Sequence, residues 1–304
     1  MEIRVLRYFE AIARLQNVTR AATELHVAQP SLSVAIKKLE EELGVLLFTR
    51  VRNQPLKLTE EGHLLLKRSK RIFSEIERVE QEIADRQKLR SGHLRIGLPQ
   101  MYGYTEFPHI LKLFHQTYPG IRISVIQNSA STIRSHFEEG QLNLAIIDER
   151  RIHKKWPRLS LERQEMVVSC AHDHPLAQKE SIKDNELEYL PLILMDDSFL
   201  QRNIIDKRCE QAGFRPNVII ESNYIPMIVQ ATLDGLGVST LLREVVEQTP
   251  NLHAMSLVPK EYCHFHLCWL DEDSLSQAEH AFIRFVSDFK NKLKLEKQSI
   301  TTLA

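Results

Sequence analysis

No stretch of the 304 residues reaches the roughly eighteen consecutive apolar side chains that a membrane span needs, so no membrane partner is expected. The opening run, MEIRVLRYFEAIARL, alternates charged and apolar residues and lacks a signal peptide's apolar core, which places the chain in a reducing cytoplasm. Cysteine is scarce: Cys170, Cys209, Cys263 and Cys268 form no CxxC pair and suggest no disulfide frame. Nor is one charge in excess. Forty Lys+Arg against forty Asp+Glu argues against wholesale coating of nucleic acid, while leaving room for a basic patch on one domain. Catalytic signatures are missing too. No GxSxG, HExxH, Walker loop or GxGxxG occurs, and Gly235-Leu236-Gly237 reads as a helix end and turn, so neither enzyme activity nor a cofactor is expected. What is present is 43% hydrophobic and 26% charged residues, a balance that excludes disorder and supports a packed core. The length suits about two domains.

The charges divide unevenly. Residues 1–92 hold 17 basic and 13 acidic side chains, the remainder 23 and 27, and eleven of the thirteen histidines fall in the second part. The break comes at Arg90-Ser91-Gly92, where a long charged helical pattern meets a glycine and an alternating strand (Leu94, Ile96, Leu98) begins.

Before that break, Val5, Leu6, Phe9, Ile12 and Ala13 mark one face of an amphipathic helix. Thr19 reads as the N-cap of a short second helix that turns Ala21, Ala22 and Leu25 inward. His26-Val27-Ala28 makes the turn, and Gln29-Pro30-Ser31 opens a third helix with proline at its first position. Leu32, Ile36, Leu39 and Leu43 form its buried stripe, and Gly44 ends it. Two short helices around a tight turn are a helix-turn-helix, whose second helix can enter the major groove of DNA. Gln29, Ser31 and Ser33 would reach base edges there, with Lys37 and Lys38 one turn further along. Thr19 and Arg20, at the start of the preceding helix, join this candidate set. Residues 48–58 then read as a small hairpin about Asn53-Gln54-Pro55, with Arg50, Arg52 and Lys57 placed to neutralise phosphates. The bland alternative is a three-helix packing module with a solvated loop.

The run LRYFEAIARLQNVTRAATELHVAQPSLSVAIKKLEEELGVLLFTR followed by LKLTEEG resembles the N-terminal winged helix-turn-helix of the LysR-type transcriptional regulators, from Leu6 to Gly62 almost without a gap. The resemblance implies double-stranded operator DNA as partner. Gln29, Pro30, Ser31 and Ser33 match the family's DNA-reading positions, and Arg50 and Arg52 match its wing. The family often carries a basic or amide residue just after the second serine, whereas Val34 and Ala35 stand there in this chain. Val34 is suited to a thymine methyl rather than to a polar base contact.

From Thr59 to about Leu89 no Gly follows Gly62 and no Pro appears. Leu65, Ile72 and Val79 repeat every seven residues, and Ile76 and Ile83 add a second series offset by four, the seam of a two-helix coiled coil. Some thirty residues would make a rod of about 45 Å. The competing reading is one long helix packed on its own domain. A dimer would suit a two-fold symmetric operator, and the family resemblance adds a dimer of dimers, a homotetramer.

Beyond residue 92, strand-like runs at 93–98, 121–126, 143–147, 165–170, 192–194, 218–221 and 238–241 alternate with helical patterns at 107–117, 132–139, 201–212 and 225–235. Alternation of this kind predicts parallel α/β sheets, and the length suits two subdomains with a cleft between them. The resemblance implies the same, a fold like that of periplasmic binding proteins. The expected organisation is a winged helix-turn-helix at 1–58, a linker and dimerisation helix at 59–89 and an effector-binding domain at 93–304. Its subdomain I is about 93–161 plus 268–304, and subdomain II about 162–267. Phe265–Leu270 would return the chain to the first subdomain. Ligands of open α/β sheets sit at strand carboxyl ends near helix N-termini, which favour anions. That selects Gln100, Met101 and Tyr102; Ser129, Ser131 and Thr132; Phe199 and Arg202; and Asn223, a set suited to a small polar metabolite. Simple helix capping would also explain Ser131 and Thr132.

Two signals carry less weight. His264, His266 and Cys268 would share one face of a strand as a zinc trio, but the segment is where the returning strand belongs, so no metal is expected. Cys209 matches a reactive cysteine of the family's peroxide-sensing branch, yet the partner position, near Leu200, has none, and a helix-buried thiol is the better expectation. The sequence therefore reads as a ligand-responsive, sequence-specific transcriptional regulator, with RNA polymerase a further candidate partner. Its rivals are a metal- or redox-responsive regulator of the same architecture and a small-molecule-binding α/β protein that does not read DNA.

Overall fold

The computed structural model of the chain describes residues 1–49, 56–87, 92–273 and 275–301, with side chains at 77, 78, 81–87 and 293–301 left undescribed. The chain forms two compact units, Met1–Glu80 with Glu139–Gln141, and Gln81–Glu138 with Leu142–Ala304.

The first unit contains α1 (Ile3–Leu15), α2 (Val18–Glu24), α3 (Gln29–Leu43), β1 (Phe48–Thr49), β2 (Lys57–Leu58) and most of α4 (Glu60–Gln87). Helix α1 buries Leu6, Phe9, Ala11 and Ile12, while Val5 and Ala13 pack at the core's margin. Helix α2 starts earlier than its sequence suggests. Asn17, not Thr19, is the N-cap, its side chain accepting from the Arg20 backbone N–H at 3.0 Å. Asn is a strong cap because its short side chain reaches back to an unpaired N–H. Ala21 and Ala22 are buried and let α1 and α3 approach. His26, at φ +54°, reverses the chain before α3. There Ala28 is the N-cap and Gln29 the first helical residue, which puts Pro30 second rather than first. Leu32, Ile36 and Leu39 are buried as expected, but Leu43 is 40% exposed. Gly44, in the left-handed region at φ +71°, stops the helix, and the chain turns back so that Leu47 and Phe48 fill the core beyond it.

The second unit contains β3 (Gly92–Pro99), α5 (Phe107–Thr117), β4 (Ile121–Asn128), α6 (Ala130–Glu138), β5 (Leu144–Asp148), β6 (Arg158–Ala171), β7 (Ser181–Lys183), β8 (Leu192–Met195), α7 (Leu200–Gln211), β9 (Val218–Ser222), α8 (Ile225–Leu233), β10 (Val238–Leu242), α9 (Arg243–Glu247), β11 (Leu252–Cys268) and α10 (Gln277–Thr301). The sheet runs β4-β3-β5-β11-β6-β10-β8-β9, with β7 on β11. It is mixed rather than parallel. Strands β4, β3 and β5 are parallel, as are β10, β8 and β9, but β6 and β11 run antiparallel to each other and to their outer neighbours β10 and β5. These two long strands, 14 and 17 residues, join two lobes. The expected return strand at Phe265 is thus the end of a strand that starts at Leu252 and stops at Cys268. Phe114 anchors the first lobe's core edge-on to Phe282 of α10, with centroids 5.0 Å apart.

Candidate nucleic-acid interface and ligand cleft

The core packing of Leu32, Ile36 and Leu39 fixes which face of α3 points away from its own unit. Gln29, Pro30, Ser31, Lys37 and Lys38 are exposed, Ser33 is half-buried and Val34 is 66% exposed. Thr19 and Arg20 are exposed near the start of α2, and Thr19 is also the backbone acceptor of the Thr23 hydroxyl at 3.1 Å. Lys37 meets Glu41 at 3.6 Å in an exposed pair worth at most a few tenths of a kcal/mol, roughly, so a phosphate can displace that partner. Arg50 and Arg52 lie outside the described residues.

The hairpin that follows α3 is tied down by groups that sequence reasoning overlooked. The Glu40 carboxylate accepts from the backbone N–H groups of Leu47 (2.8 Å) and Phe48 (3.3 Å), locking the entry of β1 to α3. Thr59 donates its hydroxyl to Leu46 O at 2.7 Å, its N–H to Leu47 O at 3.0 Å, and accepts from Gly62 N–H at 2.9 Å. It thereby caps α4 and clamps the loop before β1. A Cβ on Gly62 would stand 2.2 Å from Leu47 O, so this approach admits only glycine. The motif LT..G, legible in the sequence only as a pattern, is this clamp.

In the second unit the four loops at strand ends behave differently. Gln100 is half-exposed at the start of a 3-10 turn, Gln100–Tyr104, but Met101 and Tyr102 are 1% exposed and turn into the core, contrary to expectation. The Tyr102 ring packs edge-on against Phe265 at 4.9 Å, and its hydroxyl donates to Glu162 at 3.3 Å. Burial first, then the Glu162 charge, pushes this phenol well above its ordinary pKa. Their aromatic and thioether bulk completes the core at the end of β3, leaving Gln100 as this loop's accessible member.

At the start of α6, Ser129 is buried, with its hydroxyl 2.9 Å from that of Ser131 and 3.0 Å from that of Thr132. Ser131 is exposed and donates to Ser198 O at 3.4 Å in the opposite lobe. The structure thus gathers Ser129, Ser131 and Thr132 against the loop that precedes α7. Phe199, the N-cap residue of α7, is 4% exposed and belongs to the core. Arg202 is no free cation: its guanidinium donates to Asp206 at 2.9 Å, to Met195 O at 3.4 Å and to Glu221. Burial would lower its pKa, but Glu221 and Asp206 outweigh it and raise it. Asn223 is exposed.

Further contacts cross between the lobes that no spacing in the sequence announces. Gln248 donates to Tyr104 O at 2.7 Å, and at the root of the second lobe Gln164 of β6 donates to Glu244 of α9 at 2.8 Å. Arg150, after β5, donates to buried Asp148 and to Glu261 at 2.8 Å, and the other Glu261 oxygen accepts from Arg208 of α7 at 3.5 Å. Glu162 is held above the ordinary carboxylate range by burial first, then by Glu244 and Glu106.

All four cysteines are buried. Burial is the first cause that raises each thiol, Cys170 and Cys209 to about 11, Cys263 and Cys268 to about 12, so they are protonated and poorly nucleophilic near neutrality. Cys209 is the helix-buried thiol anticipated. His264 is partly exposed and points to Glu149 at 3.6 Å, while His266 is 9% exposed and Cys268 is buried. Among the described residues no three His, Cys, Asp or Glu side chains gather as a metal site, and no helix is long and apolar enough to cross a membrane.

A winged helix-turn-helix, a long helix and a two-lobed α/β unit on two crossing strands define a one-chain regulator with a DNA-binding part and an effector-binding part. Residues 3–63 match the model of the bacterial regulatory helix-turn-helix proteins of the lysR family and residues 87–290 that of the LysR substrate binding domain. The chain belongs to the LysR family and is a DNA-binding transcriptional regulator with an effector-binding domain. It is 32% identical over 241 residues to the HTH-type transcriptional regulator YybE of Bacillus subtilis (strain 168), covering 79% of this chain and 82% of that one. It is 33% identical over 238 residues, 76% and 73% of the two chains, to a probable RuBisCO transcriptional regulator of Cyanophora paradoxa. Among solved structures, a full-length single-residue variant of OxyR from Pseudomonas aeruginosa superposes with a TM-score of 0.66 at 26% identity, covering 95% and 94%. Full-length CbnR complexed with its target DNA gives 0.71 at 20% identity over 95% and 99%, a likeness of fold.

Proposed function

We propose that the chain works in the cytoplasm as a homodimer, paired into a homotetramer, that binds a two-fold symmetric operator and responds to a small polar metabolite, without catalysing a reaction. The observation that carries the DNA-reading half is the placement of α3. Its core stripe is locked inward while Gln29, Pro30, Ser31, Val34, Lys37 and Lys38 remain exposed, the arrangement a helix needs to enter a major groove. Gln29, Ser31 and Ser33 read base edges; Thr19, Arg20, Lys37 and Lys38, with Arg50 and Arg52 of the hairpin, meet phosphates. The working boundaries are 1–58 for DNA binding, 59–89 for the dimerising helix and 93–304 for effector binding. The effector sits between the lobes against Gln100, Ser129, Ser131, Thr132 and Asn223. The hydroxyl cluster at the start of α6 supports an anionic group on the ligand. Its binding shifts the lobes between two arrangements for which it has different affinities, and DNA affinity changes by linkage. Contact with RNA polymerase at the promoter completes the reading.

The test is a titration of the purified full-length chain against genomic fragments and scrambled competitor. Gln29→Ala weakens binding on preferred fragments alone. Arg50→Ala weakens it on all sequences and lowers the salt slope by about one. Equal affinity for every fragment and the competitor overturns the reading.

A further inference from the structure

We propose that Val34 reads the C5-methyl group of a thymine in each half of the operator; the inference rests on the DNA-reading role of α3 proposed above. Among the described residues no large aliphatic side chain is more exposed than Val34 and Leu46, both 66%. Val34 follows buried Leu32 by two positions, about 200° round the helix, and so stands opposite the stripe of Leu32, Ile36 and Leu39. Exposed Pro30 and Lys37 lie on the same outward side. From there an open groove, bordered by Ser33, Val34, Lys37 and Glu40, whose carboxylate is turned to the Leu47 and Phe48 N–H groups, runs to Leu46, Phe48 and Thr49 at the root of the hairpin. The centre of the face that would meet the base pairs is therefore apolar, with lysine beside it.

Chemistry narrows what can lie opposite. Valine neither donates nor accepts a hydrogen bond. A guanine, cytosine or adenine edge pressed against it would lose water without gaining a partner, at a net cost. Among the groups that base pairs present in the major groove, the thymine methyl is the apolar one. A β-branched side chain suits this task, because in a helix one χ1 rotamer dominates and both methyls are held in place before DNA arrives. Val34 thus supplies selection by shape and desolvation, between the hydrogen-bonding Ser33 and the charge of Lys37.

The experiment enriches a duplex from a random pool with the full-length chain, then remakes it with each thymine replaced singly by deoxyuridine, which removes the methyl and nothing else. At one thymine per half-site the replacement weakens binding by about four-fold, the worth of one buried methyl group. Val34→Ala binds the thymine and deoxyuridine duplexes alike at that position. Because Val34 is exposed, this variant folds as the parent does, and thermal unfolding checks it. If every deoxyuridine duplex binds like the parent duplex, or if the loss persists undiminished in Val34→Ala, the proposal is overturned while DNA reading by α3 stands. If the pool yields no preferred sequence, DNA reading itself falls and the Val34 proposal with it.

Discussion

Gly62 shows how closely one backbone position controls the DNA-binding unit. Replacing a helical glycine by alanine ordinarily stabilises by roughly 0.5–1 kcal/mol. Here the added carbon would press on Leu47 O at 2.2 Å, a backbone atom that Thr59 already holds. Gly62→Ala is therefore expected to destabilise by about 1–3 kcal/mol, as overpacking does, and to weaken DNA binding as the hairpin shifts. Urea unfolding of the variant checks the sign, and a gain in stability would show that the clamp yields. Glu40 acts on the same joint from the other side. Its carboxylate is the acceptor that sets the hairpin against α3, although in the sequence it looks like one of three solvated glutamates.

Among the elements, β6 and β11 are the two long strands that join the lobes, so any displacement of one lobe on the other would pass through them. Around their crossing lie Glu162, Gln164 and Glu261, each bonded to a group from another element. Glu162 gives a pH signature. Its pKa is raised by burial, then by Glu244 and Glu106, with Lys290 opposing. The folded chain thus holds this proton more tightly than the unfolded chain. Stability falls as pH climbs from the unfolded value of 4.5 through the raised folded value, and this contribution is flat above it. Glu162→Gln, which can still accept from Tyr102, should be more stable than the parent at pH 7 and lose that advantage below about pH 4. Thermal unfolding of both across that range reads it directly; an advantage independent of pH would show that the carboxylate charge is not its source.

For the protein as a whole the decisive quantity is assembly. In the single chain Ile72 and Ile76 of α4 are half-buried and Val79 is 49% exposed, an apolar seam left open to water. A second α4 would cover it in the manner of a coiled coil. Ile76→Asp should give a monomer by sedimentation and reduce operator affinity by at least about ten-fold, since two linked recognition helices bind far better than one. A variant that stays dimeric would move the assembly surface elsewhere.

Features of local origin could be read from the chain before any coordinates. Gln29-Pro30 opening α3, the Leu32–Ile36–Leu39 stripe, the seven-residue repeat of α4 and the alternation of strands and helices after residue 92 all follow from backbone preference and from a period of 3.6 or 2. The outward side of α3 was legible for the same reason, since a known inward stripe leaves a known outward one. Features that depend on distant neighbours emerged with the packed fold. Tyr102 turns inward against Phe107 and Phe265, Met101 and Phe199 join the same apolar core, and Arg202 is taken up by Asp206 and Glu221. The end of β11, Cys263 to Leu267, alternates apolar and polar residues and falls where a return strand was expected, whereas the stretch Val258-Pro259-Lys260-Glu261 does not alternate. The strand runs on from Leu252 to Cys268 because β6, β5 and β7 pair with it on both sides of the register shift between Ser256 and Glu261, and no local spacing in the chain encodes partners that far away.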